Sequence, residues 1–247
     1  MKVGVLVVAY ESAEYIVNLL DRVPATIPGA ELVLYVSDDC SQDDTSELAE
    51  KWAAEHGELD VLVVGQERNN GYGGNQKLSY RWAEAHGIDV AVLLHGDEQY
   101  PPEVIPELVA PILAGHADAV HGSRMIIPGG ARRGGMPMER FLGNRALSWL
   151  LNRLSGADLT EWFSGFRAYR VSTLAQVDLE AMPDGFDFDT TITLQLLTVG
   201  ARIDEVAIPT RYGDEISRVP LLRTGLAAVR HGVAARARHP RGSVRTG

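Results

Sequence analysis

The sequence predicts an α/β protein built on a mainly parallel central sheet flanked by helices. Apolar runs alternate with helical stretches four times over the first hundred residues, which is the pattern of strands joined by crossover helices. The apolar runs also stop at polar clusters, and ligands of open α/β sheets bind beyond the carboxyl ends of the strands. We therefore expect a ligand site at one edge of this sheet.

Four apolar runs of strand length define the predicted sheet. They span residues 3–9, 32–36, 61–64 and 90–94. A continuous apolar run indicates a strand that is buried on both faces, as in a parallel sheet covered by helices on each side. Helical stretches between the runs cover residues 13–22, 44–56 and 76–86. Gly87 follows the third of these, and glycine is typical of the position just beyond a helix.

The length and composition predict one large domain with a tail. The chain has 247 residues and a single cysteine, Cys40. We expect an α/β domain over residues 1–217, and the alternation of strands and helices predicts a nucleotide-binding half at 1–100. No apolar segment reaches the roughly 20 residues that cross a bilayer, and one cysteine leaves no intramolecular disulfide framework. These features predict a soluble protein of the reducing cytoplasm.

Charge is distributed unevenly along the chain. The formal net charge is −10, yet residues 218–247 contain seven arginines and no acidic side chain. An acidic body makes nucleic acid a poor partner. Residues 219–237 alternate apolar side chains with arginines, which permits an amphipathic helix lying on the inner, anionic face of a membrane. A terminal helix packed on its own domain fits the same pattern.

Three predicted strand ends carry polar residues that could hold a ligand. The fourth run stops at Asp97, a carboxylate of the kind that binds a hard divalent cation together with substrate phosphate oxygens. Asp38 and Asp39 follow the second run and could accept hydrogen bonds from a base or ribose. Arg68 follows the third run beside a glycine-rich stretch at 71–74, where the backbone could approach phosphate. From the residues alone, a solvated turn or a helix cap explains these positions about equally well.

Two common nucleotide-binding signatures are missing from the sequence. There is no GxxxxGKS motif, and no GxGxxG motif follows the first strand, so neither a P-loop NTPase nor a dinucleotide-dependent enzyme fits. The stretch at 128–137 is too rich in glycine and proline for the interior of a helix or strand, and we predict a mobile loop there.

Several short motifs occur in the order found in a known enzyme family. V-A-Y-E-S (8–12) is similar to its P-x-Y-N-E strand end, S-D-D-C-S (37–41) to its V-D-D-x-S nucleoside turn, and H-G-D-E-Q (95–99) to its D-x-D-x-Q metal and diphosphate site. Later landmarks are G-S-R (122–124), S-G-F-R (164–167), G-F-D-F (185–188) and E-V-A-I-P (205–209). From Val3 to about Arg218 the chain thus resembles family 2 glycosyltransferases of the GT-A (Rossmann-like) fold, most closely the dolichol- or polyprenyl-phosphate sugar synthase branch.

The resemblance implies transfer of a sugar from a nucleotide diphosphate donor, with inversion and with Mg²⁺ or Mn²⁺ as cofactor. The implied catalytic residues are Asp97 and Arg124, with Asp187 and Asp189 as candidates for a general base. Asp97 and His95 are the implied metal ligands. Arg140 and Asn144 occupy the place where the polyprenyl-phosphate branch grips the acceptor phosphate, and the resemblance makes residues 101–217 the acceptor half of the domain. The implied donor-binding residues are Ala9, Tyr10, Asp38, Asp39, Arg68, Gln99, Arg211 and Arg218.

The sequence also departs from the family pattern. His95 replaces the first aspartate of D-x-D, Val8 the opening proline and Ser12 the nucleoside glutamate. A neutral imidazole can still ligate a cation or bond to phosphate. Relatives often carry a glutamate at the position of Thr191, so no obvious general base remains there. A phosphate acceptor attacks without losing a proton, whereas a hydroxyl acceptor needs a base.

Three functions therefore remain open from the sequence. The first is glycosyl transfer to a polyprenyl phosphate at the membrane surface, which the basic tail favours. The second is the same transfer to a soluble small-molecule or carrier-bound acceptor in secondary-metabolite or polysaccharide assembly. The third is a non-catalytic nucleotide-sugar binding protein in which His95 marks lost metal chemistry. A lipid-binding module without a sugar role leaves the strand-end motifs unexplained.

Overall fold

The computed structural model describes residues 1–57 and 59–210. The strands are β1 (Lys2–Ala9), β2 (Glu31–Asp38), β3 (Asp60–Gly65), β4 (Val90–His95), β5 (Ala119–Ser123), β6 (Arg167–Arg170) and β7 (Ile203–Ala207). The helices are α1 (Ile16–Asp21), α2 (Thr45–Glu55), α3 (Tyr72–Ala85), α4 (Ile105–Leu113), α5 (Gly130–Arg133), α6 (Met138–Ser155), α7 (Val171–Leu174) and α8 (Phe188–Thr198). A short 3₁₀ helix at Pro102–Val104 precedes α4.

The predicted α/β fold with a mainly parallel sheet is confirmed. The described strands form one sheet in the order β3-β2-β1-β4-β6-β5-β7. β1 runs parallel to β2 and β4, β2 parallel to β3, and β5 parallel to β7, whereas β6 is antiparallel to both of its neighbours. Because β6 runs the other way, the motif that precedes it reaches the same sheet edge as the carboxyl end of β4.

The strands at the centre of the sheet pack apolar side chains on both faces, as their continuous apolar runs predict. On β1, Val5 and Val7 join a cluster that includes Ile16, while Leu6 between them joins a second cluster that includes Tyr80. Successive side chains of a strand point to opposite faces, so the two clusters cover the two sides of the sheet. All of these side chains are buried, and they hold the strand ends in fixed positions.

Two local predictions differ from the structure. The third helix begins at Tyr72 rather than near residue 76, because two glycines of the stretch at 71–74 form its first turn. The segment at 128–137, predicted as a loop throughout, contains the short helix α5. That helix begins after Gly129, whose φ of +71° lies in the left-handed region that glycine adopts without strain.

Some predictions fall on residues that the structure does not describe. The basic tail at 218–247 and the donor-binding candidates Arg211 and Arg218 lie outside the described residues. Within residues 1–57 and 59–210, no helix is both long enough and apolar enough to span a bilayer.

Candidate active site

The carboxyl ends of β1, β2 and β4 lie side by side at one edge of the sheet. Ala9 pairs with Asp38, and Val8 pairs with His95. The Gly96 amide donates to the Val8 carbonyl at 2.9 Å, and a Cβ atom on Gly96 would lie 3.0 Å from the Cβ of Ala9. The register of the sheet therefore gathers the predicted motifs at 8–12, 37–41 and 95–99.

Backbone strain marks the same edge. Among the described residues, three that are not glycine have a positive φ: Glu11 at 48°, Cys40 at 63° and Glu98 at 57°. They follow β1, β2 and β4 respectively. Such conformations cost about 1–3 kcal/mol each and are concentrated at functional sites. This clustering is independent of the motifs and points to the same place.

Asp38 and Asp39, predicted to hold the nucleoside, are buried and bonded to neighbouring loops. Asp38 accepts hydrogen bonds from two serine hydroxyls, one of them that of Ser46 at 2.8 Å. Asp39 accepts from the backbone amides of Asn70 at 2.8 Å and Gly71 at 2.9 Å. The two carboxylates thus fix the turn after β2 and the loop before α3. A nucleoside that contacts Asp38 or Asp39 would do so in addition to these hydrogen bonds within the protein.

Tyr10 and Arg68 are more accessible than the two aspartates. Tyr10 directly follows β1 and is 42% exposed. Arg68 lies three residues beyond the end of β3 and is also exposed. Both are placed where a ligand at the strand edge can reach them.

His95 ends β4 and belongs to a chain of hydrogen bonds that leads to the buried Asp189. Its Nε2 atom is 3.1 Å from the Tyr72 hydroxyl, which donates to Asp189 Oδ2 at 2.6 Å. The other oxygen of Asp189 accepts from the Gln76 side chain at 3.2 Å. Burial, together with the nearby charge of Asp189, raises the pKa of Tyr72 well above its usual 10.0. The phenol therefore keeps its proton at neutral pH.

His95 and Asp97, the two predicted metal ligands, lie at and just beyond the end of β4. Asp97 is partly buried, and its Oδ1 atom accepts from the Gln99 amide at 3.2 Å. The described residues contain no group of three His, Cys, Asp or Glu side chains able to hold a metal. One carboxylate and one imidazole fit a cation that keeps several waters and takes its remaining oxygens from a substrate diphosphate.

Glu161 joins two predicted site residues, Arg124 and Asn144. Arg124 follows β5, Asn144 lies on α6, and the Glu161 side chain between them is 0% exposed. Glu161 pairs with the Arg124 guanidinium and accepts from the Arg124 amide at 2.8 Å and Nε at 3.0 Å. It also accepts from Asn144 Nδ2 at 2.8 Å. One buried carboxylate thus connects the end of β5 to α6, the helix that carries the predicted acceptor-binding residues.

Glu205 on β7 holds the loop that carries Glu161. It accepts from the Thr160 amide at 2.6 Å, the Thr160 hydroxyl at 3.0 Å and the Glu161 amide at 3.1 Å. Burial raises the pKa of Glu205 above its usual 4.5. Glu205 opens the E-V-A-I-P motif, so the structure gives that motif a supporting role at the site.

The remaining predicted site residues differ in their surroundings. Arg140 lies about one turn before Asn144 on α6 and is partly buried. Asp187 is the residue immediately before α8. Asp189 lies in the first turn of α8, where bonds from Tyr72 and Gln76 occupy both of its oxygens. Asp189 is therefore poorly placed to act as a free general base.

Sequence reasoning missed Tyr72, Glu161 and the function of Arg167. Arg167 is fully buried and donates to the carbonyls of Trp162, Ser164 and Asp189 at 2.9, 2.7 and 2.6 Å, which ties the S-G-F-R motif to α8. Glu161 stands only three residues before that motif, so reading the motif further upstream could have identified it. No spacing signal points to Tyr72.

The fold and the strand-edge site define a glycosyltransferase of the GT-A fold. The family described as "Glycosyl transferase family 2" matches residues 4–174, and the chain belongs to this family. Its relatives place it in the polyprenyl-phosphate sugar synthase-like branch.

Two relatives illustrate this branch. An undecaprenyl-phosphate mannosyltransferase from Micrococcus luteus is 32% identical over 209 residues, covering 84% of this chain and 83% of that protein. A polyprenol monophosphomannose synthase from Mycolicibacterium smegmatis is 28% identical over 205 residues, covering 83% of this chain and 75% of that protein. These similarities span most of both chains.

Solved structures confirm the fold at lower sequence identity. Glucosyl-3-phosphoglycerate synthase from Mycobacterium tuberculosis in complex with UDP has a TM-score of 0.69 and 20% identity, covering 96% of this chain and 80% of that one. The same enzyme in complex with Mg²⁺ and UDP has a TM-score of 0.65 and 19% identity, covering 95% and 79% of the two chains. These neighbours share the GT-A architecture.

Proposed function

We propose that this glycosyltransferase moves a sugar from a nucleoside diphosphate sugar to a polyprenyl phosphate, with inversion and with the assistance of Mg²⁺ or Mn²⁺. The observation that carries the proposal is that Glu161 joins Arg124, at the sheet edge, to Asn144 on α6. This juxtaposition supports an acceptor phosphate bound beside the donor diphosphate. The similarity to the undecaprenyl-phosphate mannosyltransferase supports the same class of acceptor.

At the donor side, we assign the nucleoside to the exposed Tyr10 and Arg68 and to the turn that Asp38 and Asp39 fix. Ala9 and Gln99 would line the donor, and Arg211 and Arg218 would contact the diphosphate. His95 and Asp97 would hold the cation, which when bound neutralises charge on the departing diphosphate. Arg124 adds positive charge near the leaving group, where charge develops in the transition state.

At the acceptor side, Arg140 and Asn144 would position the phosphate. A phosphate oxygen is already anionic at neutral pH, so it attacks the anomeric carbon without a general base. The engagement of Asp189 with Tyr72 and Gln76 agrees with this chemistry. Attack opposite the departing diphosphate forms the new C–O bond as the old one breaks, and the anomeric configuration inverts.

The exposed side of α6 supports an acceptor reached from a membrane surface. Met138, Leu142 and Trp149 are 50%, 57% and 68% exposed, and their spacing places them on one side of the helix. Residues 130–155 also contain five arginines and a single acidic residue. A segment that combines exposed apolar side chains with basic ones suits an anionic lipid surface. We propose the inner face of the membrane as the location, with the tail at 218–247 as a second contact.

The donor assignment is tested first by calorimetry. Nucleoside diphosphates and their sugars are titrated into the protein with Mn²⁺, with Mg²⁺ and with EDTA. We expect one nucleotide to bind in a metal-dependent manner. No binding under any condition would rule out the transferase proposal and leave an interaction role for the scaffold.

The transfer is tested with a radiolabelled sugar donor and a polyprenyl phosphate in detergent. We expect Asp97→Ala to abolish transfer with an unchanged circular dichroism spectrum. The control is Asp60→Ala, since Asp60 is exposed at the amino end of β3, away from the site edge. A fully active Asp97→Ala variant would contradict the site. Donor binding without transfer to a polyprenyl phosphate or a soluble phosphate acceptor would identify a binding protein.

A further inference from the structure

Asp189, Tyr72 and His95 form a linear chain of hydrogen bonds that ends at the sheet edge. The two links measure 2.6 Å, between Tyr72 Oη and Asp189 Oδ2, and 3.1 Å, between Tyr72 Oη and His95 Nε2. Tyr72 begins α3, Asp189 lies in the first turn of α8, and His95 ends β4. Three separate elements thus meet at this chain.

The chemistry of the three side chains determines which atom donates and which accepts in each hydrogen bond. An ionised carboxylate can only accept a hydrogen bond, so the single Tyr72 proton goes to Asp189. The Tyr72 oxygen must then accept from His95, which puts the imidazole proton on Nε2 and leaves the lone pair on Nδ1. Within the described part of the chain, Nδ1 of His95 has no hydrogen-bond partner.

We propose that Tyr72 and Asp189 are positioning residues that fix the tautomer of His95, so that Nδ1 is the ring nitrogen that would ligate a divalent cation held jointly with Asp97. This inference rests on the proposed function, because it assigns a ligand atom within the same site. Metal-binding histidines are usually held in this way by a partner on the other ring nitrogen. The chain therefore retains a ligand where the family pattern has an aspartate.

Packing around the ring supports a fixed orientation. A Cβ atom on Gly165 would lie 2.5 Å from His95 Cε1, 2.6 Å from its Nε2 and 2.8 Å from the Tyr72 hydroxyl. The Tyr100 ring meets the His95 ring edge-on, with 5.1 Å between centroids, and its hydroxyl accepts from the Gly165 amide at 2.8 Å. The imidazole is thus confined between a glycine backbone and two tyrosine rings.

The nature of the donor atom also predicts a metal preference. Imidazole nitrogen favours transition-metal ions over Mg²⁺, which prefers oxygen ligands. We expect tighter binding of Mn²⁺ than of Mg²⁺, and we expect His95→Asp to reduce that difference.

The tautomer is tested by NMR on protein labelled with ¹⁵N-histidine at pH 8, where a free imidazole is neutral. We expect His95 to carry its proton on Nε2, and we expect Asp189→Asn to move the proton to Nδ1, because the Tyr72 proton can then be donated to Nε2. The other six of the seven histidines serve as internal references. A wild-type proton on Nδ1, or an Asp189→Asn spectrum identical to wild type at His95, would overturn the proposal.

The consequence for the cation is tested separately by titrating Mn²⁺ alone and following free Mn²⁺ by EPR. We expect Tyr72→Phe to weaken Mn²⁺ binding about tenfold, the lower end of the range for lost outer-shell partners. Tyr35→Phe is the matched control, because its buried hydroxyl lies near Ser37 and Gln66 instead. Equal Mn²⁺ affinities in the two variants would overturn the positioning role. Failure of sugar transfer with the expected tautomer would contradict only the proposed function.

Discussion

Glu161 shows how a single buried carboxylate can organise a site whose other members are far apart in sequence. Its partners Arg124 and Asn144 lie 37 and 17 residues away. Removing one member of a buried ion pair leaves an uncompensated charge, which costs far more than the loss of a surface pair. The geometry of the end of β5 and of α6 therefore depends on this one side chain.

We expect Glu161→Gln to lower the free energy of unfolding by about 3 kcal/mol and to raise the KM for polyprenyl phosphate more than tenfold. The reason is that Arg124 loses its counter-charge, and the glutamine amide keeps only one of the two acceptor oxygens that serve Arg124 and Asn144. Urea denaturation and initial rates measure the two effects. Glu103→Gln is the control, since it breaks a more exposed pair with Arg22, and it should cost less than about 1 kcal/mol. Equal behaviour of the two variants would contradict the role of Glu161.

At the residue scale, the sequence predicts where the site residues lie relative to the strands better than it predicts which groups they bond to. His95 is the last residue of β4 and Asp97 lies two residues beyond it, as the apolar run before them indicates. The burial of Asp38 and Asp39 against loop amides could not be predicted, because these bonds depend on where the loop at 69–71 lies in space. The same holds for Glu161, whose importance arises only when β5, α6 and the loop before β6 come together.

At the scale of elements, the four N-terminal strands follow from their apolar runs, whereas α3 begins earlier than its sequence pattern suggests. Glycine is a poor helix former, so a stretch with glycines at 71, 73 and 74 predicts a loop. Tertiary contact overrides this preference, because the Gly73 amide donates to the Asp184 carbonyl at 2.7 Å. The small residues allow α3 to approach the segment before α8, which places Tyr72 beside Asp189.

We expect Gly73→Ala to destabilise the protein by about 1–3 kcal/mol through overpacking. The new Cβ atom would lie 2.7 Å from both Phe188 Cβ and the Pro183 carbonyl, and neither can move by a change of rotamer. Gly143→Ala is the matched control within α6, where a Cβ atom meets nothing within 4 Å. That change should stabilise the protein by up to about 1 kcal/mol. Thermal unfolding of both variants measures the difference, and equal shifts would argue against close packing at Gly73.

At the scale of the whole molecule, folding buries a histidine without giving its ring nitrogens hydrogen-bond partners in the described structure. His121 on β5 is 1% exposed, and neither ring nitrogen has a hydrogen-bond partner in the described structure. Burial, followed by the positive charge of Arg167, holds the pKa of His121 well below its usual 6.5. The folded protein therefore keeps His121 neutral at a pH where the unfolded chain protonates it. Stability must fall as the pH drops below about 6.5, since the unfolded state then binds more protons.

This linkage predicts that the wild type loses about 1.4 kcal/mol more stability between pH 7.5 and 5.5 than His121→Leu does. Urea denaturation at the two pH values measures the difference. Asp118 makes no comparable contribution in this range, because Arg202 holds its pKa at about 2 and its effect appears only at more acidic pH. Any contribution from Glu205 is shared by both proteins and cancels. Parallel pH profiles would mean that His121 gains a partner or a proton in the folded state. A steeper wild-type profile would instead show that burying His121 on β5, between β6 and β7, carries a cost at acidic pH.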